Sequence, residues 1–243
     1  MTEQIEQKRT LMQQRLLAGS PYVSEVNFKS IHPVDLQFLF LVYNEEFFEG
    51  HFPAALAGTP LELLLSPRLT KAGGLTKKLR SSNGDVRFSI AIASSMLFDS
   101  FRESERSVTV CGLECKNRLE ALQRIFEHEL IHLAEFLCWG ESNCSASRFQ
   151  EIALRRFGHR AHTHALVTRR EIAAEAGIRV GTLVIFTFEG VQHTGRVNRI
   201  TKRASVLVKD PNGQLFSDGS RYRVYYVPLS LLKRADALSK ADA

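Results

Sequence analysis

The feature that most constrains this chain is a long helix pattern over residues 117–140. The stretch NRLEALQRIFEHELIHLAEFLCWG is rich in Leu, Ala, Glu and Gln, and it ends at Gly140. The residues around its middle are apolar, yet the same segment carries His128, Glu129 and His132. Burying two imidazoles and a carboxylate without partners is costly. The pattern therefore predicts a core helix whose polar groups need a common partner.

The spacing of these three residues points to a metal ion. Two histidines four residues apart lie on one face of a helix, so both rings can reach one ion. Glu129 projects beside them and can take a proton from a metal-bound water. We therefore predict Zn²⁺ as cofactor, with His128 and His132 as ligands and Glu129 as catalytic base. The bare pattern also arises by chance on amphipathic helices, so a core helix with satisfied polar groups is the alternative.

The rest of the chain is predicted to be α+β, followed by a small all-β unit. Helical patterns cover residues 2–17, 32–50, 145–158 and 168–177, and strand-like runs cover residues 61–66 and 86–95. We expect the first helix to be solvated and 86–95 to be either an edge strand or an ordinary core strand. Thr168 and Glu171 have capping-box spacing. The predicted divisions are a helical lead-in (1–30), the domain with the histidines (31–166), and a linker helix with a basic barrel (167–243).

Positive charge is concentrated in the last quarter of the chain. From Arg179 onward there are eleven Lys and Arg against five Asp and Glu, an excess equal to the formal +6 of the whole chain. Arg199, Lys202 and Arg203 fall at a turn between strands, and tyrosines follow in the last strand run. Basic and aromatic residues on a barrel face suit DNA or RNA, although solubility alone is an equal explanation.

No apolar run reaches the length of a membrane span, and the first residues lack the apolar core of a signal peptide. We therefore expect a cytoplasmic protein without a membrane partner, and cysteines that stay reduced.

Residues 33–164 resemble the SprT-like family, whose members include the Spartan DNA–protein-crosslink proteases. The matching segments are YNEEFFEGHFP (43–53), SPRLTKAGG (66–74), HELIH (128–132), RFQEIALRRFG (148–158) and THAL (163–166). The resemblance implies a zincin-like domain, with helices packed on a small sheet, that hydrolyses peptide bonds in protein substrates near DNA. Arg148, Arg155 and Arg156 would then lie near phosphates. The last segment resembles SH3-like or KOW-type barrels more weakly.

One departure from the family concerns the third zinc ligand. The family uses a His in the motif H-G-x-x-[FW], and taking Phe149 as the aromatic residue puts Ser145 at that position. A hydroxyl is a poor zinc ligand beside His, Cys or carboxylate. Cys144, one residue away, is the predicted third ligand, because a helix N-terminus and zinc both favour its thiolate. Glu141 and a histidine of the cluster 159–164 are the alternatives, and Glu135 suits a supporting role. The rival function is a non-catalytic nucleic-acid-binding protein with a structural or vestigial zinc site.

Overall fold

A computed structural model describes residues 2–101, 107–201 and 203–235 of the chain. The chain divides into two compact units between Val167 and Thr168. The first unit mixes helices with two small sheets, and the second is built mainly on one antiparallel sheet. The predicted α+β class is confirmed at this level. Within the described residues, no helix combines the length and the apolar character needed to cross a bilayer.

The first unit contains six helices and six strands among its described residues. The helices are α1 (Thr2–Gly19), α2 (Pro33–Phe48), α3 (His51–Leu56), α4 (Ser94–Asp99), α5 (Arg118–Trp139) and α6 (Ser147–Phe157). The strands are β1 (Leu61–Leu65), β2 (Gly74–Arg80), β3 (Val86–Ile92), β4 (Val108–Val110), β5 (Leu113–Cys115) and β6 (His164–Ala165). They form two sheets, in the orders β1-β3-β2 and β5-β4-β6.

The position of β3 decides which strand borders the helix with the histidines. Strand β3 is central, because Ile90 pairs with Leu63 of β1 in parallel and with Thr76 of β2 in antiparallel. The hypothesis of an edge strand at 86–95 is therefore wrong, and the ordinary core strand is what the structure shows. Among the described residues the two edges of this sheet are β1 and β2, and β2, whose Gly74 and Thr76 are buried, is the edge strand that lies against Glu129 of α5.

Helix α5 begins and ends as its sequence predicts. Asn117 caps the first turn, because its side chain accepts a hydrogen bond from the Glu120 amide at 2.9 Å. Gly140 closes the last turn with φ 77°, a left-handed conformation that favours glycine. Most of the helix between these caps is buried, so its polar residues find their partners inside the unit.

Helix α1 is not the solvated lead-in that the sequence indicated. Ile5, Met12 and Leu16 are buried in the core of the first unit, and Arg9 is 2% exposed. These buried residues form a narrow apolar stripe that is difficult to recognise in the sequence, because polar residues separate them. Helix α1 packs on the core through this stripe and is an integral layer of the unit.

A buried ion pair joins α1 to α5. Arg9 donates to both carboxylate oxygens of Glu127, at 2.7 and 2.5 Å. Tyr43 donates to the same carboxylate at 2.9 Å, and His159 Nε2 lies 2.8 Å from it. Burial alone would raise the pKa of Glu127, but the Arg9 charge and these hydrogen bonds hold that pKa well below its ordinary value.

The second unit begins with α7 (Arg169–Glu175), and the predicted capping box of Thr168 and Glu171 is present. Its strands are β7 (Leu183–Phe188), β8 (Val191–Ile200), β9 (Ala204–Leu215), β10 (Arg221–Val227) and β11 (Lys233–Arg234). They pair in the order β10-β9-β8-β7-β11, so the described strands form an open sheet with two edges and not a closed barrel. The sheet is strongly curled, because Tyr225 of β10 lies 5.3 Å from the Phe186 and Phe188 rings of β7.

Candidate metal centre

The two histidines of α5 point at one place. His128 Nε2 and His132 Nε2 lie 3.1 Å apart. Two nitrogens bound to one tetrahedral zinc, each at about 2.0–2.1 Å, would be separated by about 3.3 Å. The spacing between the two rings is therefore already close to that of a shared metal ion.

A chain of hydrogen bonds orients His132. Its Nδ1 lies 2.6 Å from Ser142 Oγ, and Ser142 in turn donates to Glu135 at 2.6 Å. Arg148 Nε donates to the other oxygen of Glu135 at 2.7 Å. Because the Ser142 proton is directed to Glu135, Ser142 accepts from Nδ1–H of His132. The lone pair of His132 is consequently on Nε2, facing His128, and Glu135 lies in the supporting position that the sequence favoured.

His128 has a matching support. Its Nδ1 lies 3.6 Å from Cys111 Sγ, and that sulfur lies 3.8 Å from the Arg124 carbonyl oxygen. Burial raises the pKa of Cys111 well above its ordinary value, so the thiol keeps its proton and can donate it to that carbonyl. The sulfur then accepts from Nδ1–H of His128, which places the second lone pair on Nε2.

Two nitrogen lone pairs therefore face each other across 3.1 Å. Burial lowers the pKa of His128 to about 2, with neighbouring imidazoles adding to the shift. Burial lowers the pKa of His132 to about 4, against an opposing effect of Glu135. Both rings are thus neutral at pH 7, which is the form that binds metals. Two lone pairs that face each other repel, whereas a cation between them can accept both as coordinate bonds. The two histidines therefore fit a metal ion.

Cys144 stands beside this pair. Its sulfur and one nitrogen each of His128 and His132 all lie within 4.8 Å of one another. Cys144 is half-buried in the loop between α5 and α6, and burial raises the pKa of its thiol. A cation bound by the two histidines would favour the thiolate and offset this effect.

A second group shares His128. Cys111, His128 and His164 also bring one ligand atom each within 4.8 Å of one another. The His164 ring, on β6, lies 4.7 Å from that of His128. Its Nε2 is buried and has no hydrogen-bond partner in the described part of the chain. Cys111 is a buried free cysteine that contacts His128 of the candidate centre.

The remaining third-ligand candidates lie elsewhere. Glu141 is exposed, and His159 contacts the Glu127 carboxylate through its Nε2. His162 lies 3.4 Å from the Gln150 side chain. Within residues 2–101, 107–201 and 203–235, none of these three belongs to a His, Cys or carboxylate group of metal-binding size. Of the candidates from the sequence, Cys144 reaches the histidine pair and His164 reaches the other side of His128.

Glu129 is buried against β2. It is 2% exposed, and Thr76 Oγ1 donates to its Oε2 at 2.7 Å. Burial raises the pKa of Glu129 to about 8, while the hydrogen bonds from Thr76 act in the opposite direction. The carboxyl is therefore easily protonated when no cation is nearby.

Gly74 allows Glu129 to lie against β2, and Gly73 allows His164 to lie against the residue before that strand. Neither glycine was predicted from the sequence to belong to the site. A Cβ on Gly74 would lie 2.5 Å from Glu129 Oε1. A Cβ on Gly73 would lie 2.7 Å from His164 Nδ1. The signal was the Gly-Gly pair in SPRLTKAGG, where the strand backbone must lie against α5.

The basic residues next to the centre have mainly structural contacts. Arg148 pairs with Glu135, and its guanidinium lies 4.5 Å from the Trp139 ring. Arg156 donates to the Phe47 carbonyl at 2.5 Å. Their predicted phosphate contacts would compete with these bonds. Arg155 is exposed, and its contact with phosphates stays a prediction.

The predicted basic turn of the second unit is partly described. Arg199 and Arg203 are exposed, whereas Lys202 lies outside the described residues. Their contact with nucleic acid stays a prediction.

The centre can therefore hold a divalent ion through two imidazoles and a thiolate. Three protein ligands leave the fourth position of a tetrahedral ion for water or substrate. A buried carboxyl follows the first histidine in the chain. Comparison with protein-family models, with curated proteins and with solved structures gave no match for this chain.

Proposed function

We propose that this chain is a zinc-dependent metallopeptidase of SprT-like type that hydrolyses peptide bonds in protein substrates. One observation carries the proposal: two imidazole nitrogens 3.1 Å apart, on a helix that also presents a buried glutamate. Zinc bound there would act as a Lewis acid, lowering the pKa of water and polarising the scissile carbonyl. The first unit would then be a zincin-like domain.

His128, His132 and Cys144 would hold the ion. Alcohol dehydrogenase shows that a Cys and His ligand set supports catalysis. The added thiolate charge makes the ion a weaker Lewis acid than a set of neutral ligands would, so we expect slow turnover.

Glu129 would act as general base and then as general acid. It would take a proton from the attacking water and pass it to the leaving amine. A nearby cation lowers the pKa of a carboxyl, which would return Glu129 to the carboxylate form at neutral pH. Thr76 donates to Oε2, so Oε1 would make this transfer.

Phe149 supports the alignment with the SprT-like motif. Its ring lies 4.8 Å from that of His128 and 4.6 Å from that of His132. In this alignment the aromatic residue of the motif would pack on both proposed ligands, and the loop before it would supply Cys144 in place of the family's His.

The free edge of β2 is where an extended substrate could pair. This strand passes Glu129, and its outward backbone groups offer hydrogen bonds to another chain. The exposed Lys77 and Lys78 flank that edge.

Zinc content tests the ligand set. Elemental analysis should find one zinc per chain in wild type. The control variant Cys138→Ala, which removes an exposed cysteine of α5, should also keep one zinc per chain. Zinc should fall sharply in Cys144→Ala. If Cys144→Ala keeps its zinc while His164→Ala loses it, the ion lies on the other side of His128, and Cys144 is not a ligand.

Peptidase activity tests the mechanism separately. Glu129→Gln should keep its zinc and lose cleavage of an unfolded protein substrate. Full activity in Glu129→Gln would refute the role of Glu129.

The second candidate is a nucleic-acid-binding protein without catalysis, and Ser145 at the position of the family's ligand favours it. The curled sheet of the second unit, which has the strand number of an SH3-like barrel, would then be the working surface. It predicts salt-dependent binding of DNA or RNA that survives Glu129→Gln, with no cleavage of any substrate.

A further inference from the structure

A groove of about 620 Å³ in the second unit has no role in the proposed catalysis. It lies between the β7–β8 hairpin and the edge strand β10. Phe188 and Val191 line one side, and Tyr225 and Tyr226 line the other. It is the place where the curled sheet stays open, because β10 has no further strand beside it among the described residues.

Some aromatic rings of this groove pack against one another, and two of its aromatic side chains are open to water. Tyr225 packs between Phe188, at 5.3 Å, and His193, at 4.8 Å. Phe188 is nevertheless 47% exposed and Tyr226 is 68% exposed. Large aromatic side chains that a protein leaves exposed side by side mark a binding surface more often than isolated ones do.

The charge of the groove selects between occupants. Arg203 and Arg223 line it, and Glu189 is the acidic residue among its lining. Arg223 also pairs with Asp210 at 2.8 Å, so Arg203 is the better placed cation. The surrounding segment carries the whole positive excess of the chain. An apolar peptide would use the aromatic faces alone, whereas a polyanion with flat rings uses both features.

We propose that this groove binds single-stranded nucleic acid. Unpaired bases would stack on Tyr226 and Phe188, and the backbone phosphates would contact Arg203. Only unpaired bases expose the faces that such stacking needs, so duplexes should bind less well. This proposal does not depend on the first unit being a peptidase.

The test is fluorescence anisotropy of a labelled twelve-residue oligothymidylate with the full-length chain in low salt. Stacking is worth about 1–3 kcal/mol per base, so Tyr226→Ala should weaken binding roughly 5- to 150-fold. Leu215→Ala, at a 60% exposed apolar residue of β9 outside the groove, is the matched control and should bind as wild type does. Arg203→Ala should reduce the salt dependence of the affinity, and Tyr226→Ala should not.

Phe188→Leu provides a second variant that keeps an apolar side chain while removing the flat ring. It should also weaken binding, with an unchanged circular dichroism spectrum. Three results would each overturn the proposal: no binding by wild type, equal affinities in Tyr226→Ala and Leu215→Ala, or binding of poly-glutamate as tight as that of the oligonucleotide. The last result would show a peptide or simple charge site instead.

Discussion

Replacing Arg9 by Met should strongly destabilise the first unit, because it leaves a charged partner buried. Arg9 is 2% exposed, and the Glu127 side chain is fully buried. The substitution removes two hydrogen bonds to Glu127, a third, at 2.6 Å, to the Phe157 carbonyl, and a fourth to the more exposed Glu6. Methionine preserves much of the apolar stem, so the loss comes mainly from these polar contacts.

The magnitude follows from the burial of both partners. Breaking a buried ion pair by removing one member costs about 3–5 kcal/mol. Arg124, 3.9 Å from Glu127, still faces its charge, and Tyr43 and His159 still contact it, which reduces the cost. The Phe157 carbonyl, which loses its donor, adds to the cost. We expect a loss of about 4 kcal/mol in the free energy of unfolding, a large share of the roughly 5–15 kcal/mol of a typical domain.

Urea denaturation followed by tryptophan fluorescence measures this effect. Trp139 is the single tryptophan of the chain, so the signal reports on the first unit. Arg15→Met is the matched control on the same helix: Arg15 forms an exposed pair with Glu45 at 3.4 Å, and its loss should cost less than about 1 kcal/mol.

The pH dependence has a definite sign. The folded pKa of Glu127 is lowered, so its stabilising contribution is present above the unfolded pKa of about 4.3 and is lost as the pH falls toward the folded value. The gap between wild type and Arg9→Met should therefore narrow below about pH 4. Equal, small losses in Arg9→Met and Arg15→Met at pH 7 would refute the reasoning.

Three further variants test the centre itself. Ser142→Ala should weaken zinc affinity about 10- to 100-fold in a chelator competition, because His132 loses its orienting partner, whereas Ser145→Ala should not. Gly74→Ala should retain zinc and lose at least about tenfold in cleavage rate, because the new Cβ displaces the Glu129 carboxylate. Metal-free Glu129→Gln should be about 4 kcal/mol more stable than metal-free wild type at pH 8, by urea denaturation. Its advantage should fall below about 1 kcal/mol near pH 5, since a raised folded pKa costs stability only as the pH rises from the unfolded value toward about 8.

Local signals in the sequence were reliable where one segment contained all the information. The limits of α5 follow from Asn117 and Gly140, and the start of α7 follows from Thr168 and Glu171. Caps and helical periodicity involve residues a few positions apart, so neighbours in the chain decide them.

The errors came from contacts between distant segments. Helix α1 looked polar, because Ile5, Met12 and Leu16 form a narrow stripe and Arg9 finds its partner 118 positions away. Strand β3 could not be recognised as central from its own alternation, because a strand's neighbours are set by pairing with other segments.

The residues of the candidate centre show the same distinction between local signals and contacts of distant segments. The sequence by itself determined that His128 and His132 share one face and that Glu129 follows the first of them, since helix geometry alone sets those positions. Only the tertiary structure decided that Cys144 reaches the pair, that His159 serves Glu127, and that Gly74 makes room for the carboxylate. A ligand supplied by a loop depends on where the chain returns in space, and spacing along the chain does not contain that information.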